Sequence, residues 1–500
     1  MSARAWILVG ALALPGALGP QHAITASAGA DSATAPRMAG SAGAADTLKL
    51  SLDQAIAAAL EQGVDMKIAN AEVSAASGRI RELGSAALPQ ITGSFDYTRR
   101  FDSIFRDAGA AGTDTIFGPL LENTPFAAVN LWTFDITAKQ TIFSRRIGSA
   151  IGVAKSYRER TAATRTETAS DVRLRTTEAY LWAASAKRLA EIATAGLEQA
   201  TGHFKQVQLY YKQGTRAEYD MIQAQVDAMN AEPPVVAARN EYEMALLDLK
   251  HLLNIPLGRP MVLVTPAGFD DGMVPVTNVD EPGPAQRAAL VAANAEVQGR
   301  EHLLDVERGA RWPELVVTGT VSQQAFPGDQ LPSSDQFRRN IEATARLEFP
   351  LFLGLRTFGS IQRATAELHQ AEVRRVETQQ AVELEIERAR HEVRRTLSVM
   401  LARGGTVSLA KRAYHLASVR YTNGLSTQLE VSDARLQMLT TEGRAVLAAR
   451  DYRVALAQLQ HALGRSIPMT MQLFDELTLS ITNGDGAATA ASPVETRGSR

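Results

Sequence analysis

The sequence predicts a mainly α-helical protein with two pairs of β-strands, built from one large unit that occurs twice. The first observation is an internal repeat, because Tyr211 and Gly214 return as Tyr421 and Gly424 with a common offset of 210 residues, from 211 to 421. The second is a period-two alternation in two segments of each copy, the pattern of a half-exposed strand. The third is a pair of long proline-free stretches rich in strong helix formers. A repeat of this length exceeds any solenoid period.

Composition excludes several classes of protein. The chain has 500 residues, 45% of them hydrophobic, and a formal net charge of −2, which is typical neither of a disordered chain nor of a nucleic-acid-binding protein. It contains no cysteine, which excludes disulfides, thiolate metal sites, a cysteine nucleophile and a lipid-bearing N-terminal cysteine. No catalytic constellation is evident, so the sequence predicts no enzyme, no cofactor and no bound metal.

The N-terminus has the form of a secretory signal peptide over residues 1–28. Arg4 precedes an apolar run over residues 5–18, and Ala26-Ser27-Ala28 provides a small-residue cleavage site. The alternative is a membrane anchor, but the run is shorter than the about 20 residues that a spanning helix needs. An exported chain is periplasmic, secreted, or inserted in an outer membrane as β-structure.

The rest of the chain divides by composition into two repeats and three connecting or terminal segments. The leader is rich in Ala, Ser, Thr and Gly, the linker in Pro, Gly and Asp, and the tail is polar. The predicted organisation is signal peptide 1–28, flexible leader 29–47, first repeat 48–263, linker 264–284, second repeat 285–480 and disordered tail 481–500.

Each repeat begins with a helix and continues into two strands. Ser51 is the predicted N-cap of the first helix, and Pro89 ends this helical region. The alternating runs cover residues 91–98, 132–139, 315–322 and 341–349, with long loops at 99–128 and 323–340. Such strands either cover an ordinary soluble core or span a membrane with their apolar face toward lipid. The alternation alone does not decide between these two structures.

The segments after the strand pairs predict two hairpins of very long helices. No proline occurs between Pro125 and Pro233 or between Pro350 and Pro468. A helix over residues 144–211 would be about 100 Å long, and helices of this length persist by packing side by side. Gly214 and Gly424 mark the two turns, where glycine suits a left-handed conformation.

The returning helix of the first hairpin is predicted to end or kink at Pro233-Pro234. Each copy is therefore a helical hairpin attached to two strands. Four strands per chain cannot close a barrel, and open sheet edges are not tolerated in lipid. If the strands lie in a membrane, at least two chains share one barrel, and the same assembly brings the hairpins together into a water-filled tube.

With these features, the chain resembles the TolC-like outer-membrane efflux and secretion channels. The motifs are individually weak, but their order, spacing and duplication extend from Leu48 to Leu479. The residues that carry the resemblance are the opening Ser51-Leu-Asp-Gln-Ala-Ile-Ala-Ala-Ala-Leu60, the helix-to-strand signals Leu88-Pro89-Gln90-Ile91 and Trp312-Pro313-Glu314-Leu315, the strand-to-helix signals Ile142-Phe143-Ser144-Arg145 and Leu351-Phe352-Leu353-Gly354, the two Tyr-x-x-Gly turns, and the repeat ends Leu249-Lys-His-Leu-Leu-Asn254 and Leu459-Gln-His-Ala-Leu-Gly464.

The resemblance implies a homotrimer that shares a twelve-stranded β-barrel in the outer membrane of a Gram-negative bacterium and extends an α-helical tunnel into the periplasm. It implies docking with a periplasmic adaptor protein and an inner-membrane transporter, and passage of substrates for efflux or type I secretion without catalysis. The alternative is a soluble periplasmic coiled-coil scaffold or adaptor. The sequence does not identify the cargo, the partner transporter or the resting state of the gate.

The resemblance also implies an acidic ring at the periplasmic aperture, just after the turn of the second hairpin. Glu430 and Asp433 match the family's positions, and Asp220 is the first-repeat equivalent of Glu430. One ring of equal charges from three chains would attract cations. The alternative is that acids in the first turns of a helix simply interact favourably with its dipole.

The hairpin tips match positions that meet the adaptor in this family, although solvated turns would have the same sequence. The Gly-Thr-Arg sequence known from the second hairpin of TolC occurs here in the first, so a specific gating ion pair does not transfer directly. A gate network of Asp220, Arg216 and Tyr211 with neighbouring hairpins stays open. The predicted tip residues are Tyr211, Gly214, Thr215, Arg216, Tyr421, Gly424, Leu425 and Ser426.

Two histidine signals favour structural roles. His391-Glu392 begins like a zinc-protease motif but lacks the second histidine on the same helix face. His251 and His461 are equivalent by the repeat, which favours a packing role for both.

Overall fold

The computed structural model describes residues 48–101, 129–264, 287–327 and 331–464. The predicted signal peptide, flexible leader and polar tail lie outside these ranges, as do nearly all of the linker 264–284 and most of the loop 99–128.

The two repeats follow the predicted order of elements. The first contains β1 (Leu48–Leu50), α1 (Leu52–Gln62), α2 (Val64–Ser85), β2 (Gln90–Arg99), β3 (Asn130–Phe143), α3 (Arg145–Lys212), α4 (Glu218–Asn230), α5 (Glu232–Leu252) and β4 (Met261–Leu263). The second contains α6 (Ala288–Gly309), β5 (Glu314–Ala325), a single 3₁₀ turn (Ser334–Gln336), β6 (Arg338–Glu348), α7 (Arg356–Thr422) and α8 (Gln428–Ala462). Ser51 caps α1 as expected, in a reciprocal capping box with Gln54.

The four long strands form one antiparallel sheet in the order β2-β3-β5-β6. The register alternates rows of apolar and polar side chains across all four strands. One row is Gly93–Ile136–Val321–Ile341, and the next is Thr92–Thr137–Thr320–Glu342. The apolar row is not covered by any other part of the described chain, since Ile136, Val321 and Ile341 are all exposed. The sheet therefore has no hydrophobic core on its apolar face.

Helix α3 is the central element of the helical part. Its 68 residues correspond to about 100 Å, so the tips lie about that far from the strands along the helix. It packs against α1, α2, α4, α5, α6 and α8, while α7 packs against α6 and α8. No helix among the described residues combines the length and apolar character needed to cross a membrane.

The two hairpins differ in their returning helices. In the first repeat the helix is interrupted at Ala231, and Pro233 lies in the first turn of α5, as the sequence predicted. In the second repeat α8 runs unbroken for 35 residues. The first hairpin thus has a break that the second lacks.

A short parallel pair of strands, β1 and β4, closes the first repeat and was not predicted. Its backbone is fixed to α3 by Tyr180, whose hydroxyl donates to the carbonyl oxygens of Leu50 (3.2 Å) and Val264 (2.6 Å). Tyr180 is fully buried, and burial raises its pKa to about 12. Leu249 and Leu253 from the end of α5 pack in the same core.

The packing role predicted for the two equivalent histidines is wrong for His251, which is exposed. His461 does pack at the end of α8, where its side chain is 9% exposed and lies among charged groups. We call this group of side chains the repeat-junction cluster, because α3, α7, α8 and the start of α6 meet there. Its members are Glu167, Asp171, Arg287, Glu385 and His461. The hydrogen bond from His461 and the neighbouring Arg287 lower the pKa of Glu385 to about 2, although burial alone would raise it.

Candidate functional site at the helical tips

The two hairpin turns have the same backbone geometry. Gly214 and Gly424 have φ values of +72° and +76°, in the left-handed region that glycine adopts without strain. In each turn the glycine N–H donates to the carbonyl of Tyr211 or Tyr421, and the next N–H reaches one residue further back along the helix. This is the Schellman arrangement that ends a helix. The predicted turns are confirmed at both positions.

The repeat-equivalent tyrosines in these turns have different environments. Tyr211 is 38% exposed, whereas Tyr421 is 1% exposed and packs between the hairpins with Val207, Ala224 and Val431. Its hydroxyl is buried without a hydrogen-bond partner among the described residues. Burial raises the pKa of Tyr421, and Asp220 acts in the same direction. The same motif thus supplies an exposed side chain in one hairpin and a buried inter-hairpin contact in the other.

Arg216 of the first hairpin binds this tyrosine of the second hairpin. Its Nη2 donates to the backbone oxygen of Tyr421 at 2.7 Å, and its guanidinium carbon lies 4.3 Å from the centre of the tyrosine ring. The ring of His203 meets the same aromatic ring edge-on at 5.3 Å, and its Nε2 lies 2.5 Å from Oε1 of Gln428. We call Arg216, Tyr421, His203 and Gln428 the inter-hairpin clamp.

The clamp favours a neutral imidazole. Burial lowers the pKa of His203, and the positive charge of Arg435 acts in the same direction, while the hydrogen bond with Gln428 opposes them. One turn away, Asp227 of the first hairpin accepts a hydrogen bond from Ser432 of the second and lies 4.0 Å from Arg435. Polar contacts therefore connect the two hairpins on both sides of the buried tyrosine.

The three predicted aperture acids lie close behind the turns. Glu430 and Asp433 are exposed and lie three residues apart, so they share one face of α8. Asp220 is half-buried in the first turn of α4. The dipoles of α4 and α8 favour acids at Asp220 and Glu430 whatever their further role.

Only part of the predicted tip set is accessible in the chain. Thr215 and Leu425 are exposed, together with both glycines, and Leu425 is 69% exposed. Tyr421 and Ser426 are buried against neighbouring helices. Within the chain, Arg216 binds the backbone oxygen of Tyr421, and the gate network of Asp220, Arg216 and Tyr211 with neighbouring hairpins stays a prediction. Neither His203 nor Gln428 was predicted, because neither belongs to a recognisable motif.

Several solved outer-membrane channels share this fold over nearly their whole length. VceC from Vibrio cholerae matches with a TM-score of 0.66 and 18% identity, covering 83% of this chain and 96% of that one. CmeC from Campylobacter jejuni matches with a TM-score of 0.65 and 17% identity, covering 87% and 90%. The open state of MtrE from Neisseria gonorrhoeae matches with a TM-score of 0.66 and 18% identity, covering 83% and 89%.

No curated protein matches the sequence significantly. The family model described as outer membrane efflux protein matches residues 55–254 and 284–465, which include both repeats and every residue of the inter-hairpin clamp. Since this match spans most of the chain, the protein belongs to the outer membrane efflux protein family and is an outer-membrane channel-tunnel for efflux.

Proposed function

We propose that three copies of the chain share one twelve-stranded barrel and form a continuous conduit from the periplasm to the cell exterior. The observation that carries this proposal is the sheet, whose apolar face is exposed and whose other face is polar. Such a face is stable in contact with lipid and not with water. Among the described residues, the outer sides of the edge strands β2 and β6 have no neighbouring strand, and pairing β2 of one copy with β6 of the next would satisfy their backbone groups.

Aromatic side chains lie near both ends of the strands. Tyr97 and Trp132 stack at 4.5 Å near the loop end, while Phe143 and Trp312 are exposed near the helical end. Membrane strands have aromatic side chains at both lipid–water interfaces. This distribution supports a membrane position for the sheet over the alternative of a soluble periplasmic scaffold.

The hairpins offer complementary surfaces for a second copy. Tyr219, Ile222, Val226 and Met229 form an exposed apolar stripe on α4, because they recur at helical spacing. Helix α7 has a second exposed apolar stripe in its C-terminal half, formed by Leu401, Leu409, Leu416 and Val419. Contact between the α4 stripe of one copy and the α7 stripe of the next would close the hairpins into a tube.

The periplasmic end of this tube is the proposed gate. The inter-hairpin clamp would hold it narrow, and Glu430, Asp433 and Asp220 from three copies would give it a cation-favouring charge. We propose that a periplasmic adaptor protein docks at Gly214, Thr215, Gly424 and Leu425, and that an inner-membrane transporter delivers the substrate. The chain then has no catalytic task, since the transporter supplies the energy.

The test is reconstitution of the purified mature protein in planar lipid bilayers, with its mass measured in detergent. We expect trimers that conduct in discrete steps. A monomer or dimer that does not conduct would contradict the shared barrel and favour the scaffold.

A further inference from the structure

The repeat-junction cluster combines a histidine with acids from distant parts of the chain. Glu167 and Asp171 are four residues apart on α3, so both carboxylates face the same side of the helix. His461 reaches them from the last turn of α8, with its Nε2 2.7 Å from Oδ1 of Asp171. Like charges at this helical spacing repel each other, so the arrangement requires positive charge between or beside them.

The donor atoms have the spacing of a metal site. One atom each from Glu167, Asp171 and His461 lies within 4.8 Å of the other two. Nitrogen and oxygen ligands bind Zn²⁺ at about 2.0–2.2 Å, so two ligands of one ion are at most about 4.4 Å apart. The closest pair, Nε2 of His461 and Oδ1 of Asp171 at 2.7 Å, is hydrogen-bonded, so an ion that binds here would move these two atoms apart and take the place of the shared proton. One imidazole and two carboxylates are a ligand set suited to divalent transition metals.

The other nitrogen of His461 has the partner that metal-binding histidines usually have. Its Nδ1 lies 3.4 Å from Oε1 of Glu385, which is itself bound by Arg287. A carboxylate in this position fixes the ring orientation and makes the metal-facing nitrogen a better ligand. Arg287 also holds one oxygen of Glu167, through Nε at 3.0 Å and Nη2 at 2.9 Å, and leaves the other oxygen for a ligand role.

The charges of the cluster do not balance. Three carboxylates face one guanidinium and one imidazole, so the cluster keeps at least one negative charge whichever form the imidazole takes. Gly464, just after α8, packs closely against the backbone of Arg287: a Cβ atom added to this glycine would lie 3.4 Å from the Cα of Arg287. A divalent cation would neutralise the remaining charge.

A cavity of about 830 Å³ opens beside His461 and Glu385 and offers a path for an ion. It is lined on one side by α7, which presents Glu387, His391 and Glu392 together with Arg388 and Arg395. Glu387 is paired with Arg390 and Glu392 with Arg395, so this wall provides access to the cluster without a net excess of acidic charge.

We propose that Glu167, Asp171 and His461 bind one divalent transition-metal ion per chain, with Zn²⁺ as the expected ion and Glu385 orienting the histidine. The ion would connect α3 of the first repeat with the end of α8 in the second repeat. This site is independent of the tips and of the acidic aperture, and it holds the two halves of the chain together.

The experiment is calorimetric titration of the full-length protein, stripped with a chelator, with Zn²⁺ alone. We expect one ion per chain and a zinc-dependent rise in the melting temperature. Asp171→Asn retains the fold, because this side chain is half-exposed, and is expected to lower zinc affinity at least about 100-fold. Glu385→Gln should lower it about 10-fold, through the orientation of the ring. The matched control is His251→Gln, the exposed repeat equivalent, which should bind as the unmodified protein does.

Co²⁺ provides a second readout that does not depend on stability. Its visible spectrum should report an imidazole–carboxylate site in the unmodified protein, and the spectrum should be lost in His461→Gln. Two outcomes would overturn the proposal. One is equal zinc binding by Asp171→Asn and the unmodified protein. The other is no zinc uptake by the unmodified protein, in which case His461 serves only as an ion-pair partner.

Discussion

At the scale of single residues, a small number of polar side chains connect the tips of the two hairpins of one chain. Arg216 contributes a charge-assisted hydrogen bond and a contact with the face of an aromatic ring, and Tyr421 is almost completely buried beneath it. Such a contact adds about 2 kcal/mol to the closed arrangement, or about a 30-fold change in the ratio of closed to open states.

Arg216→Ala is therefore expected to increase the open fraction of the channel about 30-fold, visible as a larger mean conductance in planar bilayers. The control is Lys212→Ala, which removes a positive charge from an exposed side chain of the same tip. An unchanged conductance in Arg216→Ala, or an equal change in both variants, would show that the clamp does not restrict the opening.

The clamp should also respond to pH through His203. Because its pKa is lowered in the folded clamp, the imidazole loses its proton more readily there than in an opened tip, where its ordinary pKa is about 6.5. Stability of the clamp is complete above pH 6.5 and falls as the pH drops below that value. Protection factors at residues 420–430, which correct for the slower intrinsic exchange of amides in acid, should fall on acidification, and His203→Gln should make them much less pH-dependent. An equal fall in both proteins would assign the effect to another group.

At the scale of elements, the long helix α3 packs against the short parallel strand pair and makes side-chain hydrogen bonds to its backbone through one residue, Tyr180. Tyr180 lies near the middle of α3 and satisfies the carbonyl oxygens of Leu50 and Val264, at opposite ends of the first repeat. Because the hydroxyl is buried, its loss leaves the carbonyl oxygen of Val264 without this donor, whereas the carbonyl oxygen of Leu50 keeps the hydrogen bond from the backbone N–H of Val264.

Tyr180→Phe is expected to destabilise this region by about 1–3 kcal/mol, measured as faster hydrogen exchange at residues 48–50 and 261–263. Tyr242→Phe is the control, since its hydroxyl makes no hydrogen bond among the described residues although Tyr242 packs against the same core. The pKa of Tyr180 is raised, so its contribution is complete below pH 10 and is lost as the pH rises toward about 12. Equal exchange rates in the two variants would contradict this role.

At the scale of the whole molecule, the proposed trimer multiplies each aperture acid by three. Glu430→Ala combined with Asp433→Ala should weaken cation selectivity and block by divalent cations in planar bilayers, because the variant removes six negative charges from one narrow opening. Glu218→Ala, at an exposed acid on the same tip, is the comparison variant. Selectivity that stays the same in the double variant would refute the ring and leave the fold unaffected.

The sequence predicted the parts that depend on local pattern. The four strands, the glycine turns and the break at Pro233 are confirmed, as is the outer-membrane efflux channel family. It did not predict β1 and β4, because three-residue strands have no periodicity. Nor did it predict that Tyr421 is buried while Tyr211 is exposed, since the two lie in the same motif and differ only in tertiary contacts. The repeat-junction cluster was missed because its members lie far apart along the chain.

The break at Ala231 makes the two hairpins mechanically unequal. Displacement of the first tip can be absorbed at this break, which lies about one-third of the way along the returning helices of the hairpin. The second tip has no such break, because α8 is a single rod from Gln428 to Ala462. When Tyr421 leaves its buried position, α8 should therefore move as one rigid helix and displace His461. Opening of the aperture would then change the geometry of the repeat-junction cluster.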